Sequence, residues 1–505
     1  MPELSLSDTI RTSLSGGGEK RAIEQGGIWH SWAEVGRIAN VLDERLTELG
    51  IPAGAPVGLV ARNSLPHISA LYALLASRRT TVMVYSALPA QALAAEIDKL
   101  ALPAVIADRR DWAPEALAAA TAAGSFALDV TGDADHPVEI LNRESVSGGA
   151  LMPKDCDTAI EMLSSGTTGL PKRIPIRWST LELMARDAIV NFAESGQGSD
   201  ERGLSPLIQP APLANISGLY GVVPAGMEGR PLSLMAKFDV DDWVRTVQRV
   251  RPRVSWLPPA AIQAIWNAEV EPAALSSLVS IRTGSAPLDR ELQRQFEERY
   301  GLKILLMYGF TESCGTIVMW NLADRTAFGE AKYGAVGRAR PGVRLRVVDS
   351  RTGKEQSVGE MGVLEAQVDR ISDDWIRTSD LARVDAEGFL YLHGRADDVI
   401  NRGGFKVLPE MVAETIERHD SVAAATVLGM ADARLGEVPV AMVALKAGAQ
   451  LTEQDLGEFC RRTLTAYQVP VRFVIVDDLP RTQTMKVDRP AARRLLEQQL
   501  ASAGD

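Results

Sequence analysis

The chain has 505 residues, 46% apolar and 24% charged, the balance of a globular protein too long for one core and therefore expected to form two or more domains. Its 65 acidic and 54 basic side chains leave a net charge of −11, which argues against non-specific binding to nucleic acid or an anionic membrane but not against a locally basic site for an anionic substrate. The three cysteines, Cys156, Cys314 and Cys460, are far apart and form no CxxC pair, so neither a disulfide framework nor a thiolate zinc site is indicated.

The opening residues lack a basic stretch followed by an apolar one, so no secretory leader is expected. No apolar run reaches the ~18 residues of a membrane span. The richest run, 68–84, is interrupted by Arg78 and Arg79. A cytoplasmic location is the expectation.

In chain order, apolar runs at 57–62, 104–108, 159–163, 253–257, 279–284 and 303–309 read as buried strands. Helical stretches lie between them: 89–100, with Pro89 in its first turn; the Ala-rich 115–123; and 288–300, with Asp289 and Glu291 near its start. This alternation predicts an α/β fold. From about 334 to 394 short β-like runs separated by Gly and Asp predict a small β-rich subdomain. Beyond it, a helix at 411–419, strands at 424–430 and 438–445, a helix at 455–464 and a strand at 472–477 predict a separate, small α+β domain. The expected organisation is a large multi-layer N-terminal domain over 1–394, a short connection at 395–398 and a C-terminal domain over 399–505.

Five motifs carry chemistry. The first is Ser164-Ser165-Gly166-Thr167-Thr168-Gly169-Leu170-Pro171-Lys172, directly after a predicted strand. Glycines allow a tight turn, successive N–H and hydroxyl groups surround anionic oxygen, and Lys172 adds a compact positive charge. That suits a polyphosphate, and the spacing is not that of a Walker loop. The second is Tyr308-Gly309-Phe310-Thr311-Glu312, a carboxylate at a strand end where Mg²⁺ needs only one or two protein oxygens. The third combines Thr378-Ser379-Asp380-Leu381 with Gly394-Arg395-Ala396-Asp397-Asp398: an Asp able to accept two ribose hydroxyls and an Arg fork able to meet phosphate. A pair of turns with a structural ion pair would look the same. The fourth and fifth are Arg402-Gly403-Gly404-Phe405-Lys406 and Pro480-Arg481-Thr482-Gln483-Thr484-Met485-Lys486.

Taken in order, these motifs resemble the core motifs of the ANL superfamily, which contains acyl-CoA synthetases, adenylation domains of non-ribosomal synthetases and luciferases. The resemblance runs from about residue 25 to 495. It implies that Ser164, Ser165, Gly166, Thr167, Thr168, Gly169 and Lys172 hold the phosphates of ATP. It further implies that Gly284-Ser285-Ala286-Pro287 binds adenine, Tyr308 stacks on it, and Gly309 and Thr311 lie beside it. Glu312 and Thr167 would hold Mg²⁺. Asp380 would take the ribose, Arg395 the ribose or phosphate, and Lys486 would be the catalytic lysine of the first half-reaction. Asp397 matches the hinge, implied at 395–398, about which the small, mobile C-terminal domain rotates, and Gly403, Gly404 and Phe405 lie on the implied coenzyme A pantetheine tunnel. The acyl pocket is expected from Asn215, Ile216, Trp256, Met307, Gly309 and Cys314. Being mostly apolar, it suits a medium or aromatic acid.

Three residues depart from the family pattern. Asn215 stands where His is common, Met485 where Gly usually precedes the lysine, and Arg173-Ile174 where Gly-Val usually follows the phosphate loop. Three readings follow: an acyl-CoA ligase; a stand-alone adenylation enzyme that loads a carrier protein's phosphopantetheine; and a non-catalytic nucleotide-binding protein. The third is disfavoured because Lys486, Glu312 and Asp380 are all present.

Overall fold

The computed structural model describes residues 4–133, 135–143, 157–163, 172–200, 203–402, 405–432, 434–482 and 485–502. Three sheets position the site. The first has seven strands in the order Val138–Ile140, Phe126–Val130, Ala104–Ala107, Pro56–Ala61, Thr80–Tyr85, Thr158–Leu163, Arg173–Arg177, parallel within and antiparallel at both ends. The second has nine, in the order Val254–Trp256, Ser280–Gly284, Lys303–Phe310, Gly315–Met319, Gly337–Ala339, Phe389–Arg395, Ser372–Val384, Gly362–Val368, Val343–Val348. The β-rich stretch after residue 334 thus continues the sheet that carries the earlier motifs.

Between these sheets lie the helices Leu65–Ala76, Trp178–Glu194 and Ile216–Glu228, whose side chains share one apolar cluster with both. Ala90–Leu100 and Pro114–Ala122 cover the far face of the first sheet. Val240–Val250, Pro259–Asn267 and Arg290–Tyr300 cover the far face of the second. The apolar run 68–84 that the sequence singles out divides between the helix Leu65–Ala76 and the strand Thr80–Tyr85, and the helix is buried almost all round, as a helix apolar all round its axis must be. Arg79, just beyond it, is buried as well, donating to the Ile51 carbonyl at 2.8 Å and pairing with Asp43. Among the described residues no helix is long and apolar enough to cross a membrane.

Helix starts follow local chemistry. Asp289 accepts from the Leu292 N–H at 2.7 Å and so caps Arg290–Tyr300. Ser31 with Glu34 and Thr452 with Asp455 form reciprocal capping boxes. Such caps contribute about 1 kcal/mol each.

The third sheet comprises Phe405–Val407, Ile400–Arg402, Gly436–Leu445, Val422–Asp432 and Arg472–Val476. Pro409–Glu417 and Glu453–Arg461 contribute to one apolar cluster on it, and Arg489–Ser502 to another. The chain passes from the second sheet to the third through a single-turn 3-10 segment, Ala396–Asp398. Arg489 braces this crossing, lying 3.5 Å from both Asp398 and Glu410.

Candidate active site

The nucleotide-side motifs converge at strand ends of the nine-stranded sheet. Gly284 ends one strand, and a Cβ there would come within 2.4 Å of the Met307 carbonyl oxygen on the next. Gly309, at a bulge in the following pair, is held still closer: its Cβ would come within 2.2 Å of the Gly315 carbonyl oxygen. Neither position admits a side chain, so backbone rather than bulk walls this part of the site. Ser285 has a left-handed φ of +69°, which turns the chain out of its strand towards Ala286 and Pro287.

Tyr308 donates its hydroxyl to Asp380 Oδ2 at 2.5 Å. Burial, reinforced by the Asp380 charge, raises the Tyr308 pKa, so the phenol keeps its proton and holds the carboxylate in place. Asp380 lies opposite Arg395 across antiparallel strands, and the Arg395 guanidinium donates to Ser379. Lys486 reaches the same place from the C-terminal part of the chain. Its side chain keeps an exposed face while part of it packs among protein atoms. Burial first, then the Arg395 charge, lowers its pKa, while Asp380 opposes both. The fit to a nucleotide is therefore a matter of charge: two cations and one carboxylate meet beside an aromatic ring at strand ends.

The turn carrying Lys486 is closed by Thr482 N–H donating to the Lys486 carbonyl at 2.8 Å and Met485 N–H donating to that of Thr482 at 2.9 Å. Met485 has φ of +61°, the left-handed region that favours glycine, which accounts for the glycine usual there in the family pattern. A non-glycine residue pays about 1–2 kcal/mol for it. The Met485 side chain packs on the apolar cluster of Trp243, Ile281 and Phe296, a contact a glycine could not make. Arg481 Nη1 donates to the Met485 carbonyl at 3.2 Å and so braces the turn.

The phosphate-loop residues Ser164, Ser165, Gly166, Thr167, Thr168 and Gly169 lie outside the described residues, as do Gly403, Gly404 and Cys156. The loop's flanks, Leu163 and Arg173, pair in antiparallel register, and Lys172 is exposed. Arg173 pairs with Glu96 and Glu161, so the cation that replaces the usual glycine is tied to the first sheet. Glu312 and Thr311 share a hollow with Ile174, Pro175, Ile176 and Arg177, just beyond that loop. Phe405 is exposed and stacks on Tyr467, centroids 4.7 Å apart. Asp397 is exposed in the 3-10 crossing.

Of the expected acyl residues, Ile216, Trp256, Met307 and Gly309 line one cavity together with Gly284 and Tyr308. Cys314 does not line it. Its left-handed φ of +51° places it beside the Glu312 hollow, where burial pushes the thiol pKa up to about 12 and leaves it inert as a nucleophile. Asn215 does not line the cavity either. It sits at the start of the Ile216–Glu228 helix without capping it, and its Oδ1 accepts from the Tyr85 hydroxyl at 3.2 Å. That hydroxyl also lies 3.3 Å from the Leu163 carbonyl, and its one proton serves one acceptor at a time. Asn215→Ala is expected to reorder the acids accepted, through its neighbour Ile216, whereas Tyr85→Phe should cost about 1 kcal/mol of stability and leave the order unchanged. An acid panel run beside thermal unfolding checks this; identical acid rankings for wild type and Asn215→Ala would reduce Asn215 to a loop tether.

Sequence reasoning overlooked Arg282. It lines the acyl cavity, is 4% exposed, and stands two residues before Gly284 in a strand otherwise read as buried. Its Nε and Nη1 have no hydrogen-bond partner among the described residues. Burial brings its pKa down to about 10, so it remains a cation at neutral pH. The guanidinium lies 4.3 Å from the centroid of the Phe192 ring. Such a contact returns about 2 kcal/mol when desolvated, against a penalty of several kcal/mol for a buried unpaired ion. An arginine inside an apolar strand, next to the GSAP turn, was the available signal.

Known proteins resemble this chain throughout. A family model described as AMP-binding enzyme matches residues 10–367, and one described as AMP-binding enzyme C-terminal domain matches residues 412–486. The 4-coumarate--CoA ligase-like 5 of Oryza sativa subsp. japonica is 30% identical over 376 residues, 72% of this chain and 66% of that protein, so the alignment spans just under two thirds of that relative. The 2-succinylbenzoate--CoA ligase of Geobacillus kaustophilus is 28% identical over 495 residues, 95% of each chain. ATP-bound MatB from Rhodopseudomonas palustris shares the fold, with a TM-score of 0.81 at 22% identity over 97% of this chain and 99% of that one. With the first family model covering more than half of its length, the chain belongs to the AMP-binding enzyme family.

Proposed function

We propose that this protein activates a carboxylic acid with ATP and passes the acyl group to coenzyme A. The observation that carries the reading is that Lys486 lies within electrostatic reach of Asp380 and Arg395, while Tyr308, bonded to Asp380, lines the adjoining cavity. The CoA-ligase names of the relatives support the choice of acceptor.

In the first step a carboxylate oxygen attacks the α-phosphorus of ATP. The bond to the bridging oxygen breaks, pyrophosphate leaves, and an acyl-adenylate remains. Two anions must approach one another, so the chain's work is positioning and charge neutralisation. Lys486 supplies the cation there, Asp380 accepts hydrogen bonds from the ribose hydroxyls, and Tyr308 holds Asp380 and offers its ring to the adenine. Lys172 and the loop before it would face the β- and γ-phosphates. Magnesium, held by Glu312 with Thr167, would supply further positive charge on the phosphate oxygens. In the second step the thiol of coenzyme A attacks the acyl carbon, AMP leaves, and the thiol proton passes to solvent. The short crossing at Ala396–Asp398 is the place for the third sheet to reorient between steps, bringing Gly403, Gly404 and Phe405 towards the pantetheine.

The test is acid-dependent pyrophosphate release, followed by loss of free thiol on adding coenzyme A. Pyrophosphate release with no thiol loss would move the acceptor to a carrier protein's phosphopantetheine. Absence of pyrophosphate release with every acid would overturn the reading. Glu312→Gln is expected to raise the Mg²⁺ concentration for half-maximal rate by about 10–100-fold. A magnesium titration of the variant checks this, and an unchanged midpoint removes Glu312 from the metal site.

A further inference from the structure

The acyl cavity has apolar walls in Ile216, Trp256, Met307 and Leu207, and one charge, Arg282. Strand register places that charge. Gly284 pairs with Met307 and Arg282 with Leu305, so Arg282 lies on the same strand face as Gly284, two residues or about 7 Å further from the strand end that carries Tyr308. No carboxylate comes within ion-pair distance of Arg282 among the described residues. Asp187, whose charge is felt by the neighbouring Tyr220, is committed to Arg340 and Arg370. Arg230, the other nearby cation, is paired with Glu228. The Tyr220 hydroxyl is bonded to Asn191. Among these described neighbours the charged groups are paired with one another and Arg282 alone carries an unpaired charge, although Asn191 Oδ1 and Thr283 Oγ1 also lack a hydrogen-bond partner.

We propose that the acid activated by this protein is a dicarboxylic acid, with one carboxylate presented to the nucleotide and the second bound by the guanidinium of Arg282 inside the cavity. The idea rests on the acid-activation reading above and names its substrate class. Guanidinium and carboxylate match as planar, two-pronged partners, and a cavity-lining guanidinium whose Nε and Nη1 have no acceptor among the described residues is what such a ligand would satisfy. A monocarboxylic acid of the same shape would leave the cation unpaired beside an apolar tail. Sites built to bond a polar substrate group reject analogues lacking it far more strongly than apolar pockets reject a change of size. Arg282 acts here as a specificity residue, since the reacting carboxylate lies at the other end of the cavity.

The experiment pairs aliphatic and aromatic monocarboxylates with the same skeletons bearing a terminal carboxylate, and with the distal methyl esters of those diacids. ATP–pyrophosphate exchange is measured for wild type, Arg282→Met and Arg282→Lys, and diacid binding by calorimetry. Wild type should prefer a diacid over its monoacid and ester partners by about 10²–10⁴-fold in kcat/KM. Arg282→Met should lose that preference through KM, and Arg282→Lys should retain part of it. Removal of a buried unpaired charge should also leave Arg282→Met at least as heat-stable as wild type; if it fails to fold, the Lys variant and the wild-type panel still decide. Preference for monoacids in wild type, or an equal loss across the panel in Arg282→Met, overturns the proposal while leaving acid activation intact. Should no acid support exchange, acid activation falls, and calorimetry decides this point: diacid binding to wild type but not to Arg282→Met sustains the site, and its absence removes it.

Discussion

Lys486→Ala should slow pyrophosphate release by about 10²–10³-fold, the usual effect of deleting one well-placed charge-stabilising donor. Thioester formation from supplied acyl-adenylate should remain close to the wild-type rate, because that step begins after the two anions have been joined. The structure separates this lysine from the nearby Arg481. Lys486 lies within the fields of Arg395 and Asp380, whereas Arg481 spends its guanidinium on the Met485 carbonyl. Arg481→Ala should therefore lower the rate only a few-fold, by loosening the turn, since one neutral-acceptor bond is worth about 1 kcal/mol. Pre-steady-state pyrophosphate release by both variants is the measurement. Near wild-type release by Lys486→Ala, or a greater loss in Arg481→Ala, would transfer the catalytic assignment.

Asp380→Ala should raise the KM for ATP by about 10²-fold or more. Each hydrogen bond to a charged acceptor is worth roughly 1.5–3 kcal/mol, and a ribose offers two hydroxyls to one carboxylate. Tyr308→Phe tests the support separately. It keeps the ring and removes the hydroxyl that holds Asp380 Oδ2, so the rise in KM should be smaller, about 10-fold. Equilibrium binding of ATP and of deoxy-ATP distinguishes the roles. If Asp380 meets the ribose, its Ala variant should no longer discriminate between the two nucleotides. Unaltered discrimination would make Asp380 a structural partner of Tyr308.

The parts of this architecture legible in the sequence were those with a short-range cause. Strands such as Lys303–Phe310 and Gly362–Val368 are apolar runs bounded by turn residues, and the Arg290–Tyr300 helix announces itself through the Asp289 cap. Leu65–Ala76 was not readable as a helix, because burial on every side erases the 3.6-residue period. The motif residues Tyr308, Asp380, Arg395 and Lys486 could be named in advance, but their meeting depends on pairing across strands 72 residues apart in the chain. Cys314 is expected in the acyl cavity but lies beside the Glu312 hollow, because the strand ends at Phe310 and the 3-10 turn Thr311–Ser313 redirects the chain before it. Arg282 was passed over for the opposite reason: a strand pattern marks its position as buried, while only the packing reveals that nothing neutralises it.

Met485 carries one further consequence, for temperature. Its left-handed backbone is unfavourable, and its partly buried side chain packs on the apolar cluster that includes Trp243, so this contact offsets the local strain only while the two parts of the chain touch. Apolar association weakens on cooling, whereas a steric backbone penalty hardly changes. Cold should therefore loosen this clasp and warmth should tighten it. The turn that carries Lys486 is thus held by a thermally graded contact, and if the third sheet reorients as proposed, the ease of that step should vary with the temperature at which the protein works.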